Sequence, residues 1–293
     1  MTAIPCTWAG GAIAAARPPK QHTAMTYRKG VAGVLAGRST IVRRMLAFAL
    51  SLLLVSPSLP QSGQPAAANE LYRFVLVQAA PGRLLELIDL YKTRLPVIAA
   101  GGDEAPYIVR HSQGDRWDLI VIYPSGSFTS YYSSERMRQR SAAADKSGVS
   151  NAEFARKFYE LVAWHEDVYV EGPPLAFFRD YVKDLGLVHF EMFQSLAGKR
   201  DALIEERRRE SAFNIARGRP GALLFTHEQG AAWDVITLDG FRNWRHYAES
   251  ETIPQEVTEA AAKKAGFENA DAIAPYMRSL ISLHHDTLGT PVR

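Results

Sequence analysis

After residue 68 the chain carries seven histidines, and two of them stand in matching settings, His165-Glu166-Asp167 and His284-His285-Asp286. Side chains two apart on an extended segment leave by one face, so His165 adjoins Asp167 and His284 adjoins Asp286. A carboxylate beside an imidazole fixes its tautomer and raises its basicity, which suits a general base or a metal-bound histidine. A buried structural hydrogen bond would look the same in sequence. His284, Asp286, His165 and Asp167 are therefore the candidate catalytic residues. In the doublet His284-His285 the two side chains oppose each other, so only one can join a given site.

Residues 187–194 (LVHFEMFQ) alternate Phe190 and Met192 with His189 and Glu191. If the apolar pair packs under helices, His189 and Glu191 share the other face. With His284 and Asp286 on a neighbouring strand they complete a His/Glu/His/Asp set, and two imidazoles with one or two carboxylates suit a divalent transition metal. His189, Glu191 and His284 are the candidate metal ligands, though nothing in the sequence demands a metal or names a cofactor. Gln78 and Gln194 each close an otherwise apolar segment and offer a hydrogen-bonding handle for a ligand, or a plain strand-end cap. His111 with Trp117, and His227 with Trp233, flank short turns, where packing across a hairpin contributes about 0.2–1 kcal/mol. Asp118 and Asp234 follow the two tryptophans and accept backbone hydrogen bonds or line a site. The run 205–210 (EERRRE) reads as a solvated helix face. After residue 68 there is no Walker loop, dinucleotide glycine fingerprint, HExxH or GxSxG.

The elements that position these residues come in two copies. Residues 71–134 and 187–250 align at one constant offset, without a gap. Leu71/Leu187, Phe74/Phe190, Gln78/Gln194, Gly82/Gly198, His111/His227, Gly114/Gly230, Trp117/Trp233, Asp118/Asp234 and Tyr131/Tyr247 are among the identical pairs. Residues 143–152 then match 261–270, and Trp164-His165-Glu166-Asp167 matches Leu283-His284-His285-Asp286. In each copy the first segment (71–78, 187–194) is apolar and aromatic, which suits a strand. Residues 82–100 and 199–216 space their apolar side chains as a helix does. Two strand-like runs follow around a Gly-containing turn, then a polar helix stopped at Gly148 or Gly266. Asn151 and Asn269 are placed to cap the next helix, and a last strand covers 161–170 or 280–288. The domain expectation is a leader at 1–68, a first module at 69–172, a connection at 173–186 and a second module at 187–293.

The whole chain has a net charge of +3, which invites thoughts of nucleic acid. That charge belongs to the leader. Residues 1–68 hold seven basic residues and no Asp or Glu; removing seven from the 34 basic residues leaves 27 against 31 acidic, a net charge of −4. An acidic body has no general attraction for phosphate backbones. Arg43 and Arg44, an apolar run at 45–55 and Ala66-Ala67-Ala68 form a secretory signal with cleavage expected after Ala68, the run being too short for a permanent membrane anchor. The protein is thus expected to be exported to the periplasm or outside the cell. The Leu-rich core favours the general route over twin-arginine export, and a start at Met25 would make residues 1–24 a start-site artefact. The single cysteine, Cys6, lies in this leader, so the exported part has no thiol chemistry.

The order β-α-β-β-α-β in each copy is the split βαβ, ferredoxin-like arrangement, an α+β class. Two such modules on one chain resemble the dimeric α+β-barrel superfamily, in which two antiparallel sheets face each other around a lumen. The resemblance covers nearly all of the exported part and rests on element order and duplication. It implies a pseudo-dimeric barrel with His189 and Glu191 facing the lumen, and three functions: binding of a small, mostly apolar molecule there, a cofactor-free or haem- or metal-dependent oxidoreductase, or a structural or interaction module with a filled barrel. The 12 tyrosines, 13 phenylalanines and 5 tryptophans suit either an aromatic-lined cavity or a packed core.

Overall fold

The computed structural model describes residues 69–293; the leader, its cleavage point and the alternative starts lie outside the described residues. The first half runs β1 (Glu70–Ala79), α1 (Leu84–Ala100), β2 (Tyr107–Gln113), β3 (Leu119–Gly126), α2 (Phe128–Tyr131), α3 (Ser134–Lys146), α4 (Asn151–Leu161) and β4 (Val162–Gly172). After α5 (Leu175–Val182) the second half repeats the order with β5 (Leu187–Ser195), α6 (Arg200–Ala216), β6 (Leu223–Gly230), β7 (Val235–Phe241), α7 (Trp244–Ala248), α8 (Gln255–Lys264), α9 (Ile273–Arg278) and β8 (Ile281–Pro291). Where the sequence suggests two helices after each hairpin, the chain breaks into three. Ser150, one residue before the expected Asn151, caps α4 by accepting from Glu153 N at 3.1 Å. Asn269 caps a short 3-10 turn, accepting from Ala272 N at 2.9 Å.

All strand pairs are antiparallel, and the order β1-β3-β2-β8-β5-β7-β6-β4 closes on itself. Each half forms a four-stranded sheet, and its edge strands pair with the other half, β2 with β8 and β4 with β6. Closure leaves no edge exposed for stray pairing. Two turn glycines sit at these seams. Gly114 (φ +118°) and Gly230 (φ +107°) are equivalent in the repeat, and a Cβ on either would collide with a main-chain oxygen, that of Asp286 or of Asp167.

Strand alternation sorts side chains onto two covered faces, which is why the strands read as nearly continuous apolar runs. Tyr72, Phe74 and Leu76 of β1 point inward with Phe190, Met192, Phe225 and Trp117, all buried in one cluster. Phe74 lies 4.9 Å from Phe225 and 6.5 Å from Phe190 between ring centroids. The barrel interior is therefore filled with side chains, the expectation attached to the third reading above and opposite to an open lumen. The segment expected to be a connection holds α5, whose Phe178 packs on Tyr72 at 5.2 Å and seals one mouth. Tyr181 of α5 donates to Gly221 O at 2.8 Å and accepts from Gly240 N at 2.9 Å. On the outer face of the first half, Val75, Val77, Leu87, Ile88 and Tyr91 form a second apolar core under α1. Among the described residues no helix is long and apolar enough to cross a membrane.

Candidate functional site

The outer face of the second sheet differs from its counterpart. Phe190 and Met192 belong to the barrel interior, so His189 and Glu191 point outward under α6, the reverse of the lumen placement the sequence suggested. Apolar residues alone could not settle the direction, because both faces of the strand are covered. The register places Asp239 of β7 opposite His189, and Asp286 of β8 opposite Glu191, with His284 opposite Phe193. Directly opposed residues share a face, so His189, Glu191, His284, Asp286 and Asp239 converge on one patch.

Within the patch His189 Nε2 lies 2.5 Å from Asp286 Oδ1, and His189 Nδ1 stands 3.7 Å from Asp239 Oδ2. His284 Nε2 is 3.3 Å from Glu191 Oε1, and its ring stacks on Phe193 at 4.7 Å. From above, α6 lowers Arg207, whose Nε and Nη2 donate to Glu206 at 2.6 and 2.9 Å and whose Nη1 lies 3.3 Å from Glu191 Oε2; it also pairs with Glu210. Glu206 (0% exposed) and Arg207 (3%) correct the solvated reading of EERRRE. Only one side of that run, with Glu205 and Arg208, faces water. The helix turns the other side against the sheet.

Burying so many ionisable groups in one place moves their protonation. Burial works against the His189 imidazolium, but the pull of Asp239 and Asp286 prevails and holds its pKa up at about 11. Burial would raise Glu191, yet His284 and Arg207 bring it down to about 2. Burial wins at Glu210, raised to about 7 against the opposing charge of Arg207, and also raises Asp239 against the pull of His189. A carboxyl titrating near neutrality beside a fixed cation is the kind of group that functional sites assemble.

Two adjoining cavities open here and share Glu191 and Glu210. One, about 210 Å³, is lined by His189, Asp239, Asn214, Arg217, Arg219, Phe241 and Tyr247 among others. The other, about 300 Å³, adds Arg207 and the apolar Phe213, Ile273 and Met277. His189, Glu191 and Asp239 each offer one donor atom, all within 4.8 Å of one another.

The remaining sequence candidates lie elsewhere. His165 Nδ1 is 3.1 Å from Asp167 Oδ2 on the first half's outer face, with Phe158 5.4 Å away and Arg73 3.8 Å from Asp167. Gln78 and Gln194 fall on the inward parity at strand ends, on the opposite side of the sheet from His189. Asp118 accepts from Ala79 N at 2.8 Å and Asp234 from Ser195 N at 2.7 Å, so both are backbone clasps. His111 packs against Trp117 at 5.5 Å. His285, inward on β8, bonds Asp115 at 2.6 Å. Residue-by-residue reading missed Asp239, Arg207, Glu206 and Glu210, yet the repeat marks them. They replace Tyr123, Tyr91, Leu90 and Arg94 at the same offset at which His189 and Glu191 replace Arg73 and Val75.

No protein-family model matches the chain, and no curated protein matches it by sequence. Solved structures do. An anthrone oxidase-like protein superposes with a TM-score of 0.51 at 10% identity, over 78% of this chain and 94% of that one. A Lactobacillus acidophilus protein provisionally named a monooxygenase gives 0.43 at 8% identity over 76% and 94%, and a heme-binding protein from Thermus thermophilus 0.37 at 10% over 77% and 92%. The chain has the dimeric α+β-barrel fold, with both halves on one polypeptide. At such identities the likeness concerns fold alone, and chemistry has to be argued from the site.

Proposed function

We propose that this is an exported binding protein that holds a small molecule in the cleft between the second sheet and α6. The observation that carries the reading is a substitution within the repeat. Where the first half packs Val75, Leu90, Tyr91 and Tyr123 around α1, the second places Glu191, Arg207 and Asp239 around two cavities, with Glu206 buried against Arg207. Exchanging apolar burial for buried charge forgoes stability, and proteins break packing rules in this way chiefly at functional sites. The filled interior moves the ligand from the lumen to this outer cleft. Phe213, Ile273 and Met277 give it an apolar wall, and Glu191, Glu210 and Asp239 accept hydrogen bonds, so the fitting ligand is a small ring bearing hydroxyl or amino groups. Export rests on the leader pattern at 43–68, and N-terminal sequencing of the secreted protein, with Asn69 expected first, checks it.

The position of Glu210 favours turnover as a second reading. It lines both cavities beside Arg207, where burial raises its pKa to about 7, so it is suited to exchange protons with a bound ligand at neutral pH. For binding itself, catechol and benzylamine serve as probes in a thermal-shift titration of the full chain. A saturable rise with either, absent when first-half residues are introduced (Glu191→Val with Arg207→Tyr), supports the cleft. No rise with either probe, or an equal rise in that variant, refutes it.

A further inference from the structure

We propose that His189, Glu191 and Asp239 form a binding site for one divalent transition-metal cation, with Asp286 orienting the histidine. The proposal rests on the same cleft as the binding function but needs only this chain's own donors.

The geometry is that of a site assembled on rigid strands. His189 and Glu191 lie two apart on β5, and Asp239 is the register partner of His189 on β7. Their donor atoms lie within 4.8 Å of one another. Ligands bonded to one ion at about 2.0–2.2 Å stand closer than this, so small side-chain rotations close the set. His189 Nδ1 faces Asp239 Oδ2 across 3.7 Å, past hydrogen-bond reach. Its other nitrogen is held by Asp286 at 2.5 Å. Asp286 accepts the Nε2–H hydrogen bond and fixes the ring orientation, so a metal that displaces the Nδ1 proton of the imidazolium meets the Nδ1 lone pair facing Asp239, the usual outer support of a metal-bound imidazole.

Charge points the same way. Five carboxylates (Glu191, Glu206, Glu210, Asp239, Asp286) surround the patch, with Arg207 the cation buried among them. The two guanidiniums lining the smaller cavity have partners on its wall or beyond it, Arg217 bonding Asn214 at 2.8 Å and Arg219 lying over Phe241 and 3.9 Å from Glu249.

The first half supplies an internal comparison. Arg73 stands at the position equivalent to His189 and lies 3.8 Å from Asp167, the counterpart of Asp286. A built-in guanidinium there meets the carboxylate that His189 meets in the second half. Val75 and Tyr123 stand for Glu191 and Asp239, so the first half keeps a positive charge and has no donor set for a metal. One imidazole and two carboxylates favour a borderline cation such as Zn²⁺ or Co²⁺ over Ca²⁺ or Mg²⁺, which prefer all-oxygen sites. The cavity of about 210 Å³ beside the triad leaves a coordination position open to water or ligand.

The test uses the full chain, stripped with chelator and titrated with Co²⁺ and then Zn²⁺, reading visible absorption and metal content after dialysis. One equivalent of cobalt with d–d bands, displaced by zinc, is expected. Asp286→Asn should weaken binding about 10–100-fold, and Asp239→Asn more. His189→Arg installs the first half's own residue, so it should keep the fold by circular dichroism while abolishing the bands. Retention of no metal by the native chain, or undiminished binding by His189→Arg and Asp239→Asn, overturns the site. Repeating the catechol and benzylamine titrations in chelator separates the two claims: a shift that survives there, beside a native chain that binds no stoichiometric cobalt or zinc, refutes the metal site and leaves the binding cleft standing.

Discussion

Removing the Arg207 guanidinium isolates the energetics of the cluster. Its side chain is 2% exposed and meets Glu191, Glu206 and Glu210. Truncation to Met leaves those carboxylates without their shared cation, and breaking a buried pair from one side costs about 3–5 kcal/mol. Replacing every member with well-packed residues is instead neutral or stabilising by about 1–4 kcal/mol. The first half supplies most of that design. Arg207→Met alone should lower the melting temperature by roughly 6–20 °C, at about 2–4 °C per kcal/mol for a chain of this size. The set Glu191→Val, Glu206→Leu, Arg207→Tyr and Glu210→Gln should return it to the native value or above while abolishing probe binding. Thermal melts followed by tryptophan fluorescence measure both shifts, and urea unfolding, with the slope checked for constancy, gives the free energies behind them. A single variant as stable as the native protein, or a four-fold variant no better than the single one, would show that the cluster is solvated and the argument from buried charge is wrong.

Three further outcomes follow from the same geometry. Glu210 has a folded pKa raised to about 7, so the folded state holds a proton that the unfolded state releases near pH 4.5; its contribution should decline as pH rises from about 4.5 to 7, and Glu210→Gln should flatten the stability profile across that window. Gly230→Ala, at φ +107° and against the Asp167 main-chain oxygen, should cost at least about 1–3 kcal/mol in chemical denaturation, whereas Gly198→Ala, with open space at φ +73°, should cost less. His284→Ala should weaken catechol or benzylamine binding more than His246→Ala, because His284 contacts Glu191 directly, whereas His246 accepts from Arg242 N and packs edge-on against Phe241; equal affinities by titration would take His284 out of the site.

The duplication explains why so much of the fold was legible. Two copies with the same glycines, tryptophans and aspartates name the same elements twice, and Asp118 and Asp234 close the same backbone clasp in each half. Legibility failed where a strand is covered on both sides. Residues 187–194 alternate, but alternation states only that His189 and Phe190 face opposite ways, and the three-dimensional closure decided which way is in. It failed again at EERRRE, because six consecutive charged residues offer no apolar position to mark which of them the helix buries.

What the sequence by itself determined is the α+β element order, the repeat, the acidic body behind a basic first 68 residues, and the pairing of histidines with carboxylates two residues apart. These are short-range facts, set by spacing and composition. Tertiary structure decided the rest: that β2 joins β8 and β4 joins β6, that aromatic side chains and α5 fill the barrel, and that Asp239 and Arg207 meet His189 and Glu191 outside it. Those contacts join residues far apart in the chain, and their energies depend on burial, which no local window of sequence contains.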